Sequence, residues 1–353
     1  MRSIFTLALL SGAMTGLSQA ETLDWSEDST RALKSALDSN TYGTATSVLI
    51  LHEGQTVFEH YAHETNEETL HNTRSVTKTV TGMVLGAAIE DGAIDTATPA
   101  AAYFSDLTPF ENPDPRKFEI TIEDLLTMSS AMECDDWNQY SNGNEERMYL
   151  VEDWNSFFWN LPIRGFPSWR TPPEKAPYGR AFSYCTAGVQ MLGEIVERAV
   201  GEPFSDYAER RVFAPLQLAD FKWSRSGSGQ PHLGGGLELS TRALGKLGEL
   251  QRLNGMAGDD QIFSVEWAAQ SISVKAEIPD TPFSYGYLWW LMPYEVDGTE
   301  YIAAAMSGNG GNRVFVLPEF GITAVFTNVD YNTPSMHQNA SRFFQHEIVA
   351  RLN

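Results

Sequence analysis

Ser75-Val76-Thr77-Lys78 places a hydroxyl and an amine three residues apart at the start of a predicted helix. Apolar residues recur at helical spacing after this stretch, and Gly92 follows as a stop signal. Positions i and i+3 lie on one face of a helix, so the Lys78 amine is expected to reach the Ser75 hydroxyl. Serine alone is a weak nucleophile and needs an adjacent base, which a desolvated lysine can be. The stretch therefore suggests a serine nucleophile, although such a tetrapeptide also arises by chance.

Strand patterns lie at both ends of the chain, with helices and loops between them. Ala45–Leu51 and Gln55–Tyr61 alternate like the two strands of a hairpin. Predicted strands near the other end span Tyr285–Leu291, Tyr301–Met306, Arg313–Leu317 and Ile322–Asn328. Helices are predicted around residues 29–37 and 335–352, and a mostly helical lobe over about 95–220. This order predicts an α+β fold with one sheet built from both chain ends.

The first twenty residues have the pattern of a signal peptide. Arg2 provides a positive start, an apolar run follows, and Ser18-Gln19-Ala20 forms a small-x-small cleavage site. We expect cleavage after Ala20, with residues 21–353 forming one domain. Since no later segment is apolar enough to span a bilayer, the expected location is periplasmic or secreted.

The net charge bears on the partners of the protein, and its cysteines and histidines bear on disulfides and metal sites. The net charge of −22 argues against nucleic acid and anionic membrane surfaces. Cys134 and Cys185 suit either one disulfide or two buried free thiols, and their spacing does not decide. His60 and His63 are two possible metal ligands, but no third ligand accompanies them at a recognisable spacing. We therefore predict no metal site and no cofactor.

Two further segments offer groups that an activated serine needs. Tyr184 lies at the entrance of a predicted helix, where Lys78 is expected to lower the phenol pKa and let the two share protons. The alternative is a tyrosine that only packs its ring. The run Met306-Ser307-Gly308-Asn309 ends a strand in glycine-rich sequence, which either aims backbone N–H groups at an oxyanion or forms a hairpin turn.

Taken in order, Ser75-x-x-Lys78, Tyr184-x-Thr186 and Met306-Ser307-Gly308 resemble the three motifs of serine β-lactamases and penicillin-binding proteins. Further segments are similar to the class C-like branch of this superfamily: Asp91–Asp95, Ile120–Ser130, Phe213–Leu216 and Gly234–Leu237. The resemblance spans about residues 45–330. It implies a β-lactamase/transpeptidase-like fold, attack by Ser75, shared acid and base roles for Lys78 and Tyr184, and an acyl-enzyme that water hydrolyses.

The resemblance also implies roles around the serine. The backbone N–H groups of Ser75 and Asn309 would form the oxyanion hole. Substrate-binding positions would be Thr186, Met306, Ser307, Gly308 and Trp137. Trp137 and three other tryptophans, Trp154, Trp159 and Trp169, would either line the pocket wall or belong to the core. If this fold is right, Cys134 and Cys185 both lie near the site, and we hypothesise a disulfide between them.

Two departures from the family pattern bear on the substrate. Met306 replaces the lysine of the usual Lys-Thr-Gly motif, and Thr186 replaces the asparagine of Tyr-x-Asn. Both changes argue against a β-lactam or a D-alanyl peptide as the substrate and favour small carboxylic esters. The alternatives are a 6-aminohexanoate-dimer type of amide hydrolase, a weak β-lactamase or D-alanyl peptidase, a sensor that acylates without turnover, and a structural envelope protein. The expected partner is a small-molecule ester or amide, and the sequence leaves the oligomeric state open.

Overall fold

A computed structural model describes residues 23–166, 169 and 181–352 of the 353-residue chain. The predicted signal peptide, residues 1–20, lies outside the described residues. No helix within the described ranges is long and apolar enough to cross a membrane.

The described residues contain strands at both ends of the chain, as the sequence predicts. The thirteen strands there are β1 (Ala45–His52), β2 (Gln55–Tyr61), β3 (His71–Asn72), β4 (Phe221–Trp223), β5 (Leu237–Leu239), β6 (Met256–Ala257), β7 (Asp260–Gln261), β8 (Ala276–Glu277), β9 (Ser284–Tyr285), β10 (Trp290–Val296), β11 (Thr299–Gly308), β12 (Asn312–Leu317) and β13 (Ile322–Asn328). Eight of them form one antiparallel sheet in the order β2-β1-β13-β12-β11-β10-β9-β8. The strands from the two chain ends meet where β1 pairs with β13.

Helices flank this sheet and fill the middle of the chain. The α-helices in the described ranges are α1 (Glu27–Asp38), α2 (Val76–Glu90), α3 (Ile122–Leu126), α4 (Glu145–Met148), α5 (Trp154–Trp159), α6 (Thr186–Val200), α7 (Phe204–Ala208), α8 (Thr241–Arg252), α9 (Val265–Ser271) and α10 (Met336–Phe343). Short 3₁₀ or π segments span Ala100–Leu107, Pro115–Glu119, Glu209–Phe213, Pro318–Phe320, Phe344–Ile348 and Val349–Arg351. The α+β prediction is confirmed.

The central strands are buried on both faces. Successive side chains of a strand point to opposite sides, so neighbours enter different cores. Val314 of β12 faces the core shared with α2 and α8, whereas Phe315 faces the core shared with α1 and α10. This double burial explains why these strands read as continuous apolar runs rather than alternating ones.

One predicted strand, Tyr285–Leu291, is wrong in its middle. The chain leaves the sheet between β9 and β10, where the Gly286 N–H donates to the carbonyl of Trp289 at 2.9 Å. Leu288 has a positive φ of 62°, and its N–H donates to the carbonyl of Leu126. Contacts with the helical lobe therefore override the local strand pattern.

Helix α2 is buried on nearly all sides between the sheet and the lobe. Its threonines remain tolerable there because each hydroxyl has a backbone partner. Thr77 donates to Arg74, Thr79 to Leu288 and Thr81 to Leu233, all at 2.7 Å. A fully satisfied buried helix fixes the side chains at its first turn.

Candidate active site

Ser75 and Lys78 meet at the beginning of α2. Ser75 is the N-cap residue of this helix, and the Lys78 ammonium donates to Ser75 Oγ at 3.0 Å. The same nitrogen donates to the carbonyl oxygen of Gly234 at 2.6 Å. Only 1% of Lys78 is exposed, so the amine is held in one position beside the hydroxyl.

Tyr184 lies on the other side of the same hydroxyl. It precedes α6, its phenol hydrogen-bonds Ser75, and the Lys78 nitrogen is 5.0 Å from its ring centre. Burial raises the pKa of Tyr184, and this effect outweighs the lowering by Lys78 and by the Ser75 hydrogen bond. The expectation that Lys78 brings this phenol toward ionisation is therefore wrong for the free protein, because desolvation dominates.

The end of β11 packs directly against the segment that precedes Ser75. A Cβ atom at Gly308 would collide with the carbonyl oxygen of Thr73, so only glycine permits this approach. Within the described residues, no hydrogen-bond acceptor faces the backbone N–H of Ser75 or of Asn309. Two N–H donors thus remain available beside the serine.

Two of the predicted substrate-binding positions lie outside the open cleft. Met306 is fully buried where β11 pairs with β12, and its side chain belongs to the core against α2. Thr186 is also fully buried, and its hydroxyl donates to Glu145 Oε2 at 2.9 Å. Ser307, Gly308 and Asn309, in contrast, line the cleft that contains Ser75.

Ser75 lies where two clefts meet. The first, here the His232 cleft, has a volume of about 540 Å³ and includes Ser75, Glu145, Tyr149, Trp154 and His232. The second, here the Trp137 cleft, has a volume of about 610 Å³ and shares Ser75, Glu145, Glu146, Asn309 and Asn332 with the first. Its other lining residues include Asp136, Trp137, Tyr184, Trp290 and His337. A substrate bound at Ser75 would therefore extend into both.

The four tryptophans of the lobe have different surroundings. Trp137 is 56% exposed and stacks on Tyr184, with ring centres 5.5 Å apart. Trp159 lies in the core, Trp154 is nearly buried at the edge of the His232 cleft, and Trp169 is exposed. Of these four, Trp137 is thus the tryptophan that covers the ring of Tyr184.

Sequence reasoning missed two acidic residues near Lys78. Asp136 accepts hydrogen bonds from the backbone N–H of Thr186 at 2.7 Å and of Glu145 at 2.9 Å. Burial raises the pKa of Asp136 to about 7, against a smaller lowering by Lys78. No spacing motif marks either carboxylate; their shared location follows from the loop that brings α4 to the start of α6.

His232 was also missed. It lies two residues before Gly234, the carbonyl partner of Lys78. Burial lowers the pKa of His232 to about 4, with a further lowering from Lys78, so the imidazole is neutral at pH 7. Its Nε2 atom is buried and has no hydrogen-bond partner within the described chain.

A disulfide joins Cys134 and Cys185, which are separated by 51 residues. Cys185 is the N-cap residue of α6 and follows Tyr184 directly. The bond therefore ties the loop that carries Asp136 and Trp137 to the segment that carries Tyr184. Within the described ranges, no group of three or more His, Cys, Asp or Glu side chains is placed to hold a metal ion.

The sequence of this chain is similar to that of a known hydrolase. A curated relative, the 6-aminohexanoate-dimer hydrolase of Paenarthrobacter ureafaciens, is 24% identical over 264 residues. That match covers 69% of this chain and 63% of the relative, so it spans less than two thirds of the relative's length.

Solved structures share the fold. A Bacillus anthracis protein provisionally named as a 6-aminohexanoate-dimer hydrolase superposes with a TM-score of 0.71 at 19% identity, covering 89% of this chain and 80% of its own. EstCE1, described as a hydrolase with promiscuous acyltransferase activity, gives 0.70 at 14% identity, covering 89% and 97%. The family model named Beta-lactamase matches residues 41–346. By that match, the chain belongs to the beta-lactamase family.

Proposed function

We propose that this protein is a serine hydrolase that acts on small carboxylic esters through an acyl-enzyme. The observation that carries the proposal is the 3.0 Å hydrogen bond between the buried Lys78 amine and Ser75 Oγ, at the junction of two clefts. An amine held this way is positioned to activate a serine that substrate can reach.

Acylation uses the groups around Ser75 in turn. Ser75 Oγ attacks the ester carbonyl, and its proton passes to the pair formed by Lys78 and Tyr184, which accepts it in the form that holds one proton fewer than an ammonium and a phenol together. The two free N–H groups of Ser75 and Asn309 stabilise the oxyanion. When the bond to the alcohol breaks, the pair returns the proton to the departing oxygen. Water then attacks the acyl-enzyme, and its proton follows the same route to Ser75.

Lys78 and Tyr184 lie against the same hydroxyl, so a proton that leaves Ser75 Oγ can pass to either of them. The protonated phenol of the free protein suits the acid role, since it can donate to the departing oxygen.

The lining of the Trp137 cleft supports a small ester with an apolar group. Trp137, Tyr184 and Trp290 present aromatic surface beside Ser75. Met306 supplies no charge for a substrate carboxylate and is buried away from the cleft. The described hydrolase and acyltransferase activity of EstCE1 is consistent with this reaction type.

A second candidate is an amide hydrolase of the 6-aminohexanoate-dimer type. The observation that favours it is the match to the Paenarthrobacter ureafaciens hydrolase over 69% of this chain. Amines are poorer leaving groups than alcohols, so this activity depends more strongly on proton donation by Tyr184.

We also propose export to the periplasm or the medium. The charged, apolar and small-residue pattern of residues 1–20 supports cleavage after Ala20. The disulfide between Cys134 and Cys185 is consistent with an oxidising compartment.

A panel of substrates tests the proposed function. Wild type and Ser75→Ala are assayed on short-chain p-nitrophenyl esters, a chromogenic cephalosporin, D-alanyl peptides and the linear 6-aminohexanoate dimer. We expect the esters to give the highest kcat/KM and Ser75→Ala to abolish it, while the control Ser273→Ala, at a partly exposed serine outside both clefts, retains it. Higher activity on the dimer would select the second candidate, and equal activity of Ser75→Ala would overturn both.

A further inference from the structure

An apolar cleft lies where α8 crosses the edge of the large sheet. The helix packs on β1, β12 and β13, and beside it the edge strand β2 begins with the exposed residues Gln55 and Thr56. The space there, here the α8 cleft, has a volume of about 330 Å³. Among the described residues, none that lines it also lines a cleft that contains Ser75, so it is separate from the candidate active site.

The walls of the α8 cleft are aliphatic. Leu49 and Leu51 lie on the same face of β1, because alternate side chains of a strand point to the same side. This face packs on α8, where a Cβ atom added at Gly245 would lie 2.7 Å from Leu49 Cδ2. Leu250 and Leu253 line the cleft from α8 itself, and Leu253 is 43% exposed. The cleft is thus an apolar surface that an alkyl chain can reach from solvent.

Three charged side chains line the α8 cleft, and neighbours balance the charges of two of them. Arg242 donates to both carboxylate oxygens of Glu59, at 2.7 and 3.0 Å. Glu249 accepts a hydrogen bond from the Arg252 guanidinium at 2.7 Å. The third charged residue is Lys246, one turn after Arg242 on α8. The charge that remains at the cleft is therefore the positive charge of Lys246.

The Lys246 ammonium has no carboxylate partner in the part of the chain that the structure describes. It donates to the carbonyl oxygens of Leu216 at 3.0 Å and Gln217 at 3.1 Å, which leaves its third N–H donor for a ligand. Leu216 lines the α8 cleft, so the ammonium lies at the apolar wall. An adjoining groove shares Lys246 and contains three acidic residues: Glu67, Glu68 and Asp220. An anion would therefore approach the ammonium from the α8 cleft rather than from that groove.

We propose that the α8 cleft binds a medium-chain carboxylate, with its head group on Lys246 and its alkyl chain on the leucines. Lys246 and Leu253 are separated by roughly 10 Å along the helix axis, a length that an extended medium-chain acyl group covers. The head group gains an N–H donor and an opposite charge, and the chain leaves water. Such an acid belongs to the class that ester hydrolysis releases, but binding in this cleft does not depend on the proposed function.

Calorimetric titration of wild type with hexanoate, octanoate and decanoate, below their micelle-forming concentrations, tests the site. We expect the affinity to rise roughly fourfold per added methylene until the chain fills the cleft. Octanoate should bind roughly fivefold more tightly than 1-octanol at low salt, and this ratio should approach one as salt rises. No saturable binding of the three acids, or equal binding of octanoate and 1-octanol at low salt, would overturn the proposal.

Variants assign the two parts of the ligand to residues. Lys246→Met keeps the aliphatic stem and removes the charge, so it should bring the affinity ratio of octanoate to 1-octanol close to one. Leu253→Ser should weaken both ligands by roughly threefold, because it removes apolar contact with the chain. Lys222→Met and Val265→Ser, at exposed residues outside the α8 cleft, are the matched controls and should bind like wild type. Melting curves check folding, and octanoate affinity that neither Lys246→Met nor Leu253→Ser changes would refute the site.

Sedimentation distinguishes a small ligand from a second copy of this chain as the occupant of the α8 cleft. We expect the sedimentation coefficient without ligand to be the same for wild type and Leu253→Ser. Self-association of wild type that Leu253→Ser abolishes would show that another copy covers the cleft, and would contradict the proposal.

The calorimetric experiment also separates this site from the proposed function, because it requires no turnover. Saturable octanoate binding that depends on Lys246 supports the α8 cleft even if no ester is hydrolysed. Absence of octanoate binding, while ester hydrolysis depends on Ser75, would refute the α8 cleft and leave the proposed function standing.

Discussion

The two walls that face each other across Ser75 are built differently. One wall is α2 with Ser75 and Lys78, a helix buried on nearly all sides whose threonine hydroxyls all have partners. The opposite wall is the lobe loop that carries Trp137 and Glu145, together with the segment before Gly234 that carries His232. The Trp137 ring is exposed there, and His232 has an unpartnered nitrogen within the described residues. The core thus fixes the groups next to the serine, whereas the aromatic surface of the cleft lies on a more exposed loop.

The largest effect is expected from the buried wall. Lys78→Met keeps the side-chain volume but removes the amine that contacts Ser75 Oγ, so kcat/KM for the best ester should fall roughly a thousandfold. The fold should persist, since an apolar side chain of similar volume replaces a buried polar one. Lys275→Met, at a partly exposed lysine outside both clefts, is the control. Near-normal turnover by Lys78→Met would mean that the buried wall does not supply the base.

The disulfide that joins the lobe wall to α6 is the next strongest contribution. Closing a loop of 51 residues should stabilise the protein by about 4 kcal/mol in the chain-entropy model. Urea unfolding of Cys134→Ser/Cys185→Ser against wild type measures this difference. Wild type treated with reductant should approach the variant. An unchanged unfolding midpoint in both would show that the bond adds no stability.

The burial of neutral His232 predicts a contribution to the stability of the protein that is lost in acid. Its folded pKa of about 4 lies below the ordinary 6.5, so the unfolded chain binds the proton first as pH falls. The contribution of His232 to the free energy of unfolding is complete above pH 6.5. It is lost between pH 6.5 and about 4, at about 1.4 kcal/mol per pH unit. Asp136 contributes a slope of opposite sign over the whole of this range, because its pKa is raised from 3.8 to about 7.

The His232 contribution is isolated as a difference between variants. Urea unfolding at several pH values measures the free energy of unfolding. As the pH falls below 6.5, this free energy should fall less steeply for His232→Gln than for wild type, by a slope that corresponds to about one proton. The control His63→Gln, at an exposed histidine, should follow wild type. Identical slopes for His232→Gln and wild type would contradict burial of a neutral imidazole at this position.

The smallest effect is expected at the exposed part of the lobe wall. Trp137→Ala removes the ring that stacks on Tyr184 and opens the Trp137 cleft. We expect KM for an apolar ester to rise about fivefold while kcat changes less, since the buried groups stay in place. Trp169→Ala, at another exposed tryptophan, is the matched control. A large loss of kcat in Trp137→Ala would show instead that the stacked ring positions Tyr184.

The sequence predicts the buried wall far better than the lobe wall. Spacing alone brings Lys78 to Ser75, because helix geometry is local, and both its place at a helix entrance and the resemblance to the serine β-lactamase motifs indicate Tyr184. Glu145 and His232 lie more than 80 positions apart and meet only through tertiary packing, so no local pattern marks them. Met306 shows the converse: its place in a motif suggested a cleft residue, but strand alternation turns its side chain into the core.

The central claim is that Ser75 carries the acyl group, and rapid quenching tests it most directly. Wild type is mixed with p-nitrophenyl acetate, quenched in acid within the first turnover, digested and analysed by mass spectrometry. The account predicts one acetyl group on the peptide that contains Ser75, and none on that peptide in Ser75→Ala. Rapid ester hydrolysis by Ser75→Ala, or acetylation at another residue that matches the turnover rate, would contradict it.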